Sequence, residues 1–298
     1  MTEIINFNEI DVPCLHRIYF KDNLNYKSPQ WIQWKLGFSI GLSDLEKKII
    51  KCSNRLKREK YDVKANGKIP ITFDDGYKDI LYLEKILKID EFYDFFQPII
   101  FIPISILMDK NALLWFDKLY YVLSVLSEVD LKKLFRKYEL EVNKYNKVRY
   151  KNLVLNLANG IFKKQLRSFT NKKQHKILDN IIYEFKINLN CESVHKELYL
   201  NLKDIQYLLE HNWILGSHGF YHHKFENINV SELRMELGES LKKMLELGGR
   251  PFLAFPDGKF NKSIVDCALK VGFSHLFTLC SEDFVQKKDY LINRVIWQ

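Results

Sequence analysis

Two adjacent carboxylates, Asp74 and Asp75, follow an apolar run that ends at Phe73, and a glycine comes directly after them. Side chains alternate along a strand, so two neighbouring residues at a strand end point in different directions. One aspartate could then bind a metal ion while the other moves a proton. This division of labour predicts hydrolytic chemistry at the end of a strand.

A pair of histidines forms the second group, with His218 and His222 placed after a short strand candidate. Their spacing of four sets both imidazoles on one side of a helical turn. Neutral imidazoles are common ligands of zinc and other divalent transition metals. Alone, such a pair is more often exposed or satisfied in a core. With one carboxylate it makes a three-ligand site with open positions, which is typical of catalytic metals. His223 is an alternative ligand with poorer spacing.

A third feature is the turn Phe255-Pro256-Asp257-Gly258, which follows another strand candidate. A Pro-x-Gly turn exposes backbone N–H groups, and such groups can stabilise an oxyanion. A plain turn between a strand and a helix is the alternative, and this motif alone favours that simpler interpretation.

Strand and helix patterns alternate around these three features. Helical spacing of apolar residues occurs in segments 78–89, 204–210 and 231–247, the last with Ser231 as a candidate N-cap. This alternation predicts parallel strands joined by crossover helices. The strand candidates are 98–103, 213–216, 252–256, 275–279 and 292–297.

The segment from about 115 to about 200 differs from the rest, because it is lysine-rich and its only glycine is Gly160. Residues 117–139 and 160–185 are predicted to form two long amphipathic helices. The segment is too long for an ordinary barrel crossover. We interpret it as a helical insertion that either only stabilises the barrel or shapes a substrate lip. Trp115 and Phe116 at its start favour the lip.

Length and composition predict one globular domain over residues 1–298, with 47 % hydrophobic residues. No apolar run is long enough for a transmembrane helix. The first residues do not resemble a signal peptide, so we expect a cytoplasmic location. The five cysteines are scattered without CxxC spacing, which predicts neither disulfides nor a zinc ribbon.

The net charge of +9 raises nucleic acid or an anionic membrane surface as a partner. Of the 46 basic residues only 9 are arginines, whereas base-edge and bidentate phosphate recognition favour arginine. Nucleic-acid binding is therefore not expected. The densest basic run, residues 47–60, is interpreted as a solvated helix face. A peripheral contact with a membrane surface or a phosphate-bearing carrier is the alternative.

Taken in order and spacing, the motifs resemble those of the polysaccharide deacetylases, carbohydrate esterase family 4, also called the NodB-homology domain. The resemblance covers about residues 65–110 and 200–297. It implies a distorted, incomplete (β/α) barrel of about seven parallel strands and metal-dependent removal of N- or O-acyl groups from sugars. The motifs are Thr72-Phe73-Asp74-Asp75-Gly76, Ser217-His218-x-x-x-His222 and Phe255-Pro256-x-Gly258.

The resemblance also implies roles for single residues. Asp74 would be the general base, and the backbone at Asp257 would donate to the oxyanion. His16, near an N-terminal strand, resembles the proton donor of family members whose last motif is permuted to the start. The cofactor would be one divalent transition metal, with Zn²⁺ the first choice and Fe, Co and Ni as alternatives. The implied metal ligands are Asp75, His218 and His222.

Two positions depart from the family pattern, and the usual Asp-Trp motif after the Pro-x-Gly turn is missing, with Ser281-Glu282-Asp283-Phe284 no clear replacement. Ala254 stands where an arginine commonly orients the base, and either Arg250 or Arg294 on the last strand could serve instead. Asp257 replaces an aromatic residue, and its charge suits an oxyanion site only if it points away or meets a cationic substrate.

These observations predict a metal-dependent hydrolase that removes an N-acyl group, most simply acetyl, from an amino sugar in bacterial surface-glycan metabolism. A missing signal peptide favours a nucleotide- or lipid-linked sugar as substrate. The alternatives are N-deformylation of a sugar and a catalytically inactive glycan-binding protein of the same fold.

Overall fold

The structure is a computed structural model that describes residues 12–19, 28–86, 92–137, 150–279 and 290–297. Seven parallel strands form a closed barrel in the order β1-β4-β5-β6-β7-β8-β9, and β2 pairs with β3 in a separate parallel sheet. The predicted (β/α) barrel of seven parallel strands is therefore confirmed. It is one strand short of the eight-stranded form and still closes, because β9 pairs with β1. The strands are β1 (Val12–Leu15), β2 (Arg17–Tyr19), β3 (Ser39–Gly41), β4 (Ile69–Phe73), β5 (Phe96–Ile102), β6 (Ile214–Ser217), β7 (Phe252–Ala254), β8 (His275–Thr278) and β9 (Leu291–Ile296).

Helices cover the outside of the barrel and fill the long connection between β5 and β6. None of the described helices is long and apolar enough to cross a membrane. The helices are α1 (Pro29–Lys35), α2 (Leu42–Arg58), α3 (Val63–Asn66), α4 (Ile80–Ile86), α5 (Phe92–Phe95), α6 (Ile104–Met108), α7 (Trp115–Val125), α8 (Glu128–Lys137), α9 (Tyr150–Asn159), α10 (Ile161–Arg167), α11 (Asn171–Glu184), α12 (Cys191–Leu198), α13 (Leu202–Glu210), α14 (Val230–Glu246) and α15 (Lys262–Val271).

The barrel interior is filled by alternate side chains of the strands, as the period of two requires. Arg294 of β9 is the charged exception: it is buried, and its guanidinium lies 5.4 Å from the centre of the Phe101 ring. A buried charge needs a partner, and Asp74 at the end of β4 is the partner of Arg294. The apolar interior residues are Val12, Ile99, Phe101, Ile214, Phe252, Ala254, Phe277 and Ile292.

The pairing of β6 with β7 is the shortest in the barrel. It has one register pair, Ser217 with Leu253, whereas β4 and β5 pair over five residues. A backbone hydrogen bond from Arg250 N to Leu215 O adds to it. This seam lies directly below the loop that carries the two histidines.

The insertion between β5 and β6 has a hydrophobic cluster of its own. It is built mainly from α7, α8, α9, α10 and α11, and α1 packs into it through Trp31 and Ile32. A separate core explains how a long helical segment can be placed on the barrel without using the barrel's own apolar surface.

Each long helix predicted in the insertion is two helices in the structure. Segment 117–139 is interrupted after Val125, because Ser127 starts a new helix and its Oγ accepts a hydrogen bond from Asp130 N. Segment 160–185 is interrupted between Arg167 and Asn171. Residues 138 and 139 lie outside the described residues. At the first break, local capping therefore overrode the amphipathic pattern.

The predicted N-cap of segment 231–247 was wrong by two residues. Asn229 caps α14, and its side chain and that of Glu232 form a reciprocal capping box, so Ser231 lies inside the helix. In segment 78–89 the helix covers Ile80–Ile86, and residues 87–89 are not described. Cys14, Cys52, Cys191 and Cys267 are free, and Cys280 falls outside the described ranges.

Candidate active site

A cavity of about 340 Å³ opens at the carboxyl ends of the barrel strands. All strands are parallel, so the loops that follow them meet at one end of the barrel. The structure brings six of the predicted residues into the wall of this cavity. They are His16, Asp74, Asp75, His218, His222 and Asp257.

Asp75 faces the two histidines of the β6 loop. Its Oδ1 lies 3.2 Å from His222 Nε2 and 3.5 Å from His218 Nε2. All three side chains are buried, and Asp75 Oδ1 has no hydrogen-bond partner among the described residues. An orphaned carboxylate oxygen opposite two imidazole nitrogens fits a divalent transition metal, whose binding would satisfy all three atoms.

His218 is held in one orientation and is neutral. Its Nδ1 donates a hydrogen bond of 2.8 Å to the carbonyl of Ala254, which leaves Nε2 facing Asp75. Burial lowers the pKa of His218 to about 4, so the imidazole is uncharged at neutral pH. Such backbone partners fix the tautomer and ring orientation of metal-binding histidines.

His222 adopts a left-handed backbone conformation, with φ 57°. Its ring packs edge to face against Phe116 of the insertion, with ring centres 5.3 Å apart. Burial acts to lower its pKa, but the Asp75 carboxylate outweighs burial and raises it above the ordinary histidine value. In the metal-free protein, His222 is therefore the histidine of this pair that protonates first on acidification.

We expect metal affinity to fall about tenfold per pH unit below the pKa of His222, because a proton and a metal compete for Nε2. The raised pKa places the onset above about 6.5, the ordinary value for histidine. Competition with a chelator across pH 5–8 measures this. A pH-independent affinity over that range would show that His222 is not a ligand.

The turn that carries Asp75 is left-handed at two successive residues. Asp75 has φ 70° and Gly76 has φ 71°. A Cβ added at Gly76 would come within 2.9 Å of Ile102, so only glycine fits there. Leu200 N donates to the carbonyl of Gly76, which ties this turn to the end of the insertion. The Asp75 carboxylate thus sits in a conformation held by tertiary contacts.

Asp74 is bound at both carboxylate oxygens by Arg294. The two guanidinium nitrogens lie 2.6 Å from Oδ1 and 2.9 Å from Oδ2, and Thr72 Oγ1 also accepts from Arg294. Burial alone would raise the pKa of Asp74, but Arg294 holds it well below its usual range. Of the two arginines considered in place of the residue at 254, Arg294 is therefore the one that binds Asp74.

Asp257 pairs with Arg167 of α10. Arg167 Nε donates to Asp257 Oδ2 at 2.7 Å, and a second guanidinium nitrogen donates to Oδ1. Burial raises the pKa of Asp257, but Arg167 outweighs it and lowers the pKa. The sequence suggested that the Asp257 carboxylate either points away or meets a cationic substrate. In the structure its charge is instead paired with Arg167 of the insertion.

His16 contributes to the cavity wall from the loop after β1. Its Nδ1 is buried and has no hydrogen-bond partner in the part of the chain that the structure describes. The ring rests edge to face on Phe38, with centres 5.8 Å apart.

Sequence reasoning missed Glu236, which organises the loop of the histidine pair. Its buried carboxylate accepts from the backbone N–H groups of Phe220 and Tyr221 at 3.3 and 3.2 Å. It also binds His223 Nδ1, so His223 pairs with Glu236 and does not join the Asp75 cluster. The available signal was a glutamate on the apolar face of α14, next to Leu237.

Replacing Glu236 by Ala is expected to weaken metal binding by about 10- to 100-fold, the usual effect of removing a residue that orients metal ligands without binding the metal itself. The change leaves the loop's N–H groups unpaired while it keeps all three ligands. Chelator competition measures the effect. Glu239→Ala, at an exposed position of the same helix, is the matched control. Equal metal affinity in both variants would remove Glu236 from this role.

Residues of the insertion line one wall of the cavity, and a role as a substrate lip stays a prediction. Three aromatic residues come from α7, and two cationic residues come from α10. Asp117 anchors α7, because its buried carboxylate accepts from the hydroxyls of Tyr77 and Tyr199 and from Gln33 Nε2. Burial raises the pKa of Asp117 to about 6. The wall residues are Trp115, Phe116, Tyr120, Lys163 and Arg167.

Comparisons with known proteins agree with this geometry at the level of the fold. No protein-family model matches the sequence, and no curated protein does. Among solved structures, a polysaccharide deacetylase from Bacillus cereus aligns with TM-score 0.50 and 13 % identity over 96 % of this chain, which spans 65 % of that protein. A de-N-acetylase from Aggregatibacter actinomycetemcomitans aligns with TM-score 0.50 and 14 % identity, over 96 % of this chain and 93 % of the other.

IcaB from Ammonifex degensii is similar with TM-score 0.50 and 10 % identity, over 99 % of this chain and 94 % of that one. At such identities the similarity establishes the architecture, and the chemistry has to be argued from the side chains. The chain has the fold of the polysaccharide deacetylases.

Proposed function

We propose that this protein is a metal-dependent hydrolase that removes an N-acyl group, most simply acetyl, from an amino sugar. One observation carries the proposal: the orphaned Asp75 Oδ1 faces two buried imidazoles, while Asp74 and His16 line the same cavity. Metal ligands, a base and an acid thus surround one space.

A divalent transition metal at Asp75, His218 and His222 would supply Lewis acidity, which activates water and polarises an acyl carbonyl. Asp74, ionised and fixed by Arg294, would accept the proton of the attacking water. His16 would give a proton to the departing amine. The backbone N–H at Asp257 would donate to the developing oxyanion.

The inactive glycan-binding alternative was kept open by the residues at 254 and 257. Both departures have a compensation in the structure: Arg294 binds the base, and Arg167 neutralises Asp257. The hydrolase is therefore the better-supported proposal. N-deformylation uses the same residues and stays the alternative for the acyl group.

The remaining context stays a prediction from the sequence. We propose Zn²⁺ as the first metal to test, with Fe, Co and Ni after it. The proposed substrate is a nucleotide- or lipid-linked amino sugar of bacterial surface-glycan metabolism, met in the cytoplasm. The alignments to deacetylase structures support a sugar as the ligand class and leave these finer points to experiment.

The test combines metal content with acetate release. The purified protein is expected to hold about one equivalent of a transition metal and to release acetate from acetylated amino sugars. The variant Asp75→Ala, His218→Ala should lose both properties. Asp266→Ala, His211→Ala, at two exposed positions, should lose neither. Absence of metal from the wild type after reconstitution would refute the proposal.

A further inference from the structure

Lys163 is a buried cation with no carboxylate of its own. It lies on α10 with 9 % exposure, and its Nζ donates to the Tyr120 hydroxyl at 2.6 Å. The ammonium also lies 4.8 Å from the centre of the Phe38 ring. Among the described residues no carboxylate pairs with it. Burying an ammonium without a counter-ion is costly, and burial lowers the pKa of Lys163 to about 8.

The neighbouring carboxylates are engaged elsewhere. Asp257 is bound on both oxygens by Arg167, and Asp117 accepts from tyrosine hydroxyls and a glutamine. Lys163 therefore lies in the cavity wall without an ion pair to either carboxylate. Lys259, which is exposed, adds a second positive charge to the same cavity.

We propose that Lys163 forms a subsite for a phosphoryl group carried by the substrate, next to the site where the acyl group is removed. The inference rests on the proposed function and names its substrate class: an acylated amino sugar bearing a phosphate. A lysine ammonium is a compact charge with three donors, which suits phosphate oxygens. Tyr120 and Phe38 hold it in place before the ligand arrives, so little ordering is needed on binding.

The test is calorimetric titration of the metal-loaded protein with two sugars. One is N-acetylglucosamine 1-phosphate, and the other is the neutral methyl glycoside of N-acetylglucosamine. The phosphorylated sugar should bind at least about tenfold more tightly, because a hydrogen bond to a charged group contributes that much. In Lys163→Met this advantage should disappear, while affinity for the neutral sugar stays the same.

Two further variants distinguish an effect of the Lys163 charge on binding from an effect of the substitution on folding. Lys164→Met, at the next and exposed position of α10, should bind like the wild type. Lys163→Arg keeps the charge and should retain most of the advantage. Failure of the wild type to distinguish the two sugars, including failure to bind either, would overturn the subsite. An equal advantage in wild type and Lys163→Met would overturn it as well.

The source of the phosphoryl group is decided by two more probes. UDP-N-acetylglucosamine represents nucleotide-linked sugars, and N-acetylglucosaminyl farnesyl phosphate represents lipid-linked ones. Whichever binds more tightly, with dependence on Lys163, identifies the source.

Measurement of acetate release tests the proposed hydrolase activity independently of the phosphoryl subsite. Charge-dependent binding without hydrolysis would leave the subsite and refute the hydrolase. Hydrolysis with equal kcat/KM for charged and neutral sugars would support the hydrolase and refute the phosphoryl subsite.

Discussion

Asp74→Asn is expected to lower kcat by roughly 10²–10⁴-fold, the usual contribution of a general base, while about one equivalent of metal stays bound. An amide cannot take the proton of water. The ligand cluster of Asp75, His218 and His222 does not include this side chain, which lies in a separate group with Cys14 and His16. Steady-state kinetics and elemental analysis of the same preparation check both halves of the prediction.

Asp79→Asn is the matched control, because Asp79 also accepts two hydrogen bonds from a buried arginine, Arg17. It breaks a comparable pair outside the cavity wall, so we expect lower stability with kcat unchanged. If Asp74→Asn turns over substrate at the wild-type rate, the base lies elsewhere. Loss of metal from Asp74→Asn would instead make this carboxylate a ligand.

Arg294→Met is expected to lower the free energy of unfolding by about 3–5 kcal/mol, since it leaves the buried Asp74 carboxylate without its partner. In the wild type, the folded-state pKa of Asp74 is lowered. The pair's stabilisation is therefore present above about pH 3.9, the ordinary aspartate pKa, and is lost as pH falls through the lower folded value. In the variant, burial is unopposed, so acidification should restore stability. Denaturant titrations at neutral and acidic pH measure both effects.

A double-mutant cycle supplies the control for this prediction. In an Asp74→Asn background, Arg294→Met should cost much less, because no buried charge is left behind. Arg234→Met, at an exposed site, should change the unfolding free energy by less than about 0.5 kcal/mol. The same cost in both backgrounds would mean that Arg294 stabilises the barrel only by packing.

The barrel and the position of the motifs were predictable because their signals are local. An apolar run that ends in Asp74 and Asp75 defines β4 and its end within a few residues of sequence. His218 and His222 follow β6 in the same way. Once strands are parallel, their ends meet at one face of the barrel, so such short motifs suffice to predict a shared cavity.

The rest depends on contacts between residues far apart in sequence. Arg167 and Asp257 are 90 residues apart, and their pairing requires the packed insertion. Lys163 looked like an ordinary member of a charged helix, because nothing in its neighbours shows that its side chain meets the cavity. Glu236 lies on the apolar face of α14, but the sequence does not show that this face meets the histidine loop. The first break in the insertion helices was missed for a different reason: a single capping residue, Ser127, decides it.

The hydrogen bond from His218 Nδ1 to the Ala254 carbonyl crosses the seam between β6 and β7, where the strands share a single register pair. A residue proposed as a metal ligand thus also connects the two barrel strands that share the fewest register pairs. A metal that binds only the folded state adds its binding free energy to the stability of that state. Without the metal, we expect the barrel to open first between β6 and β7. Proteases act on such open populations. A cell short of the metal would then degrade the protein itself, and its abundance would follow metal supply.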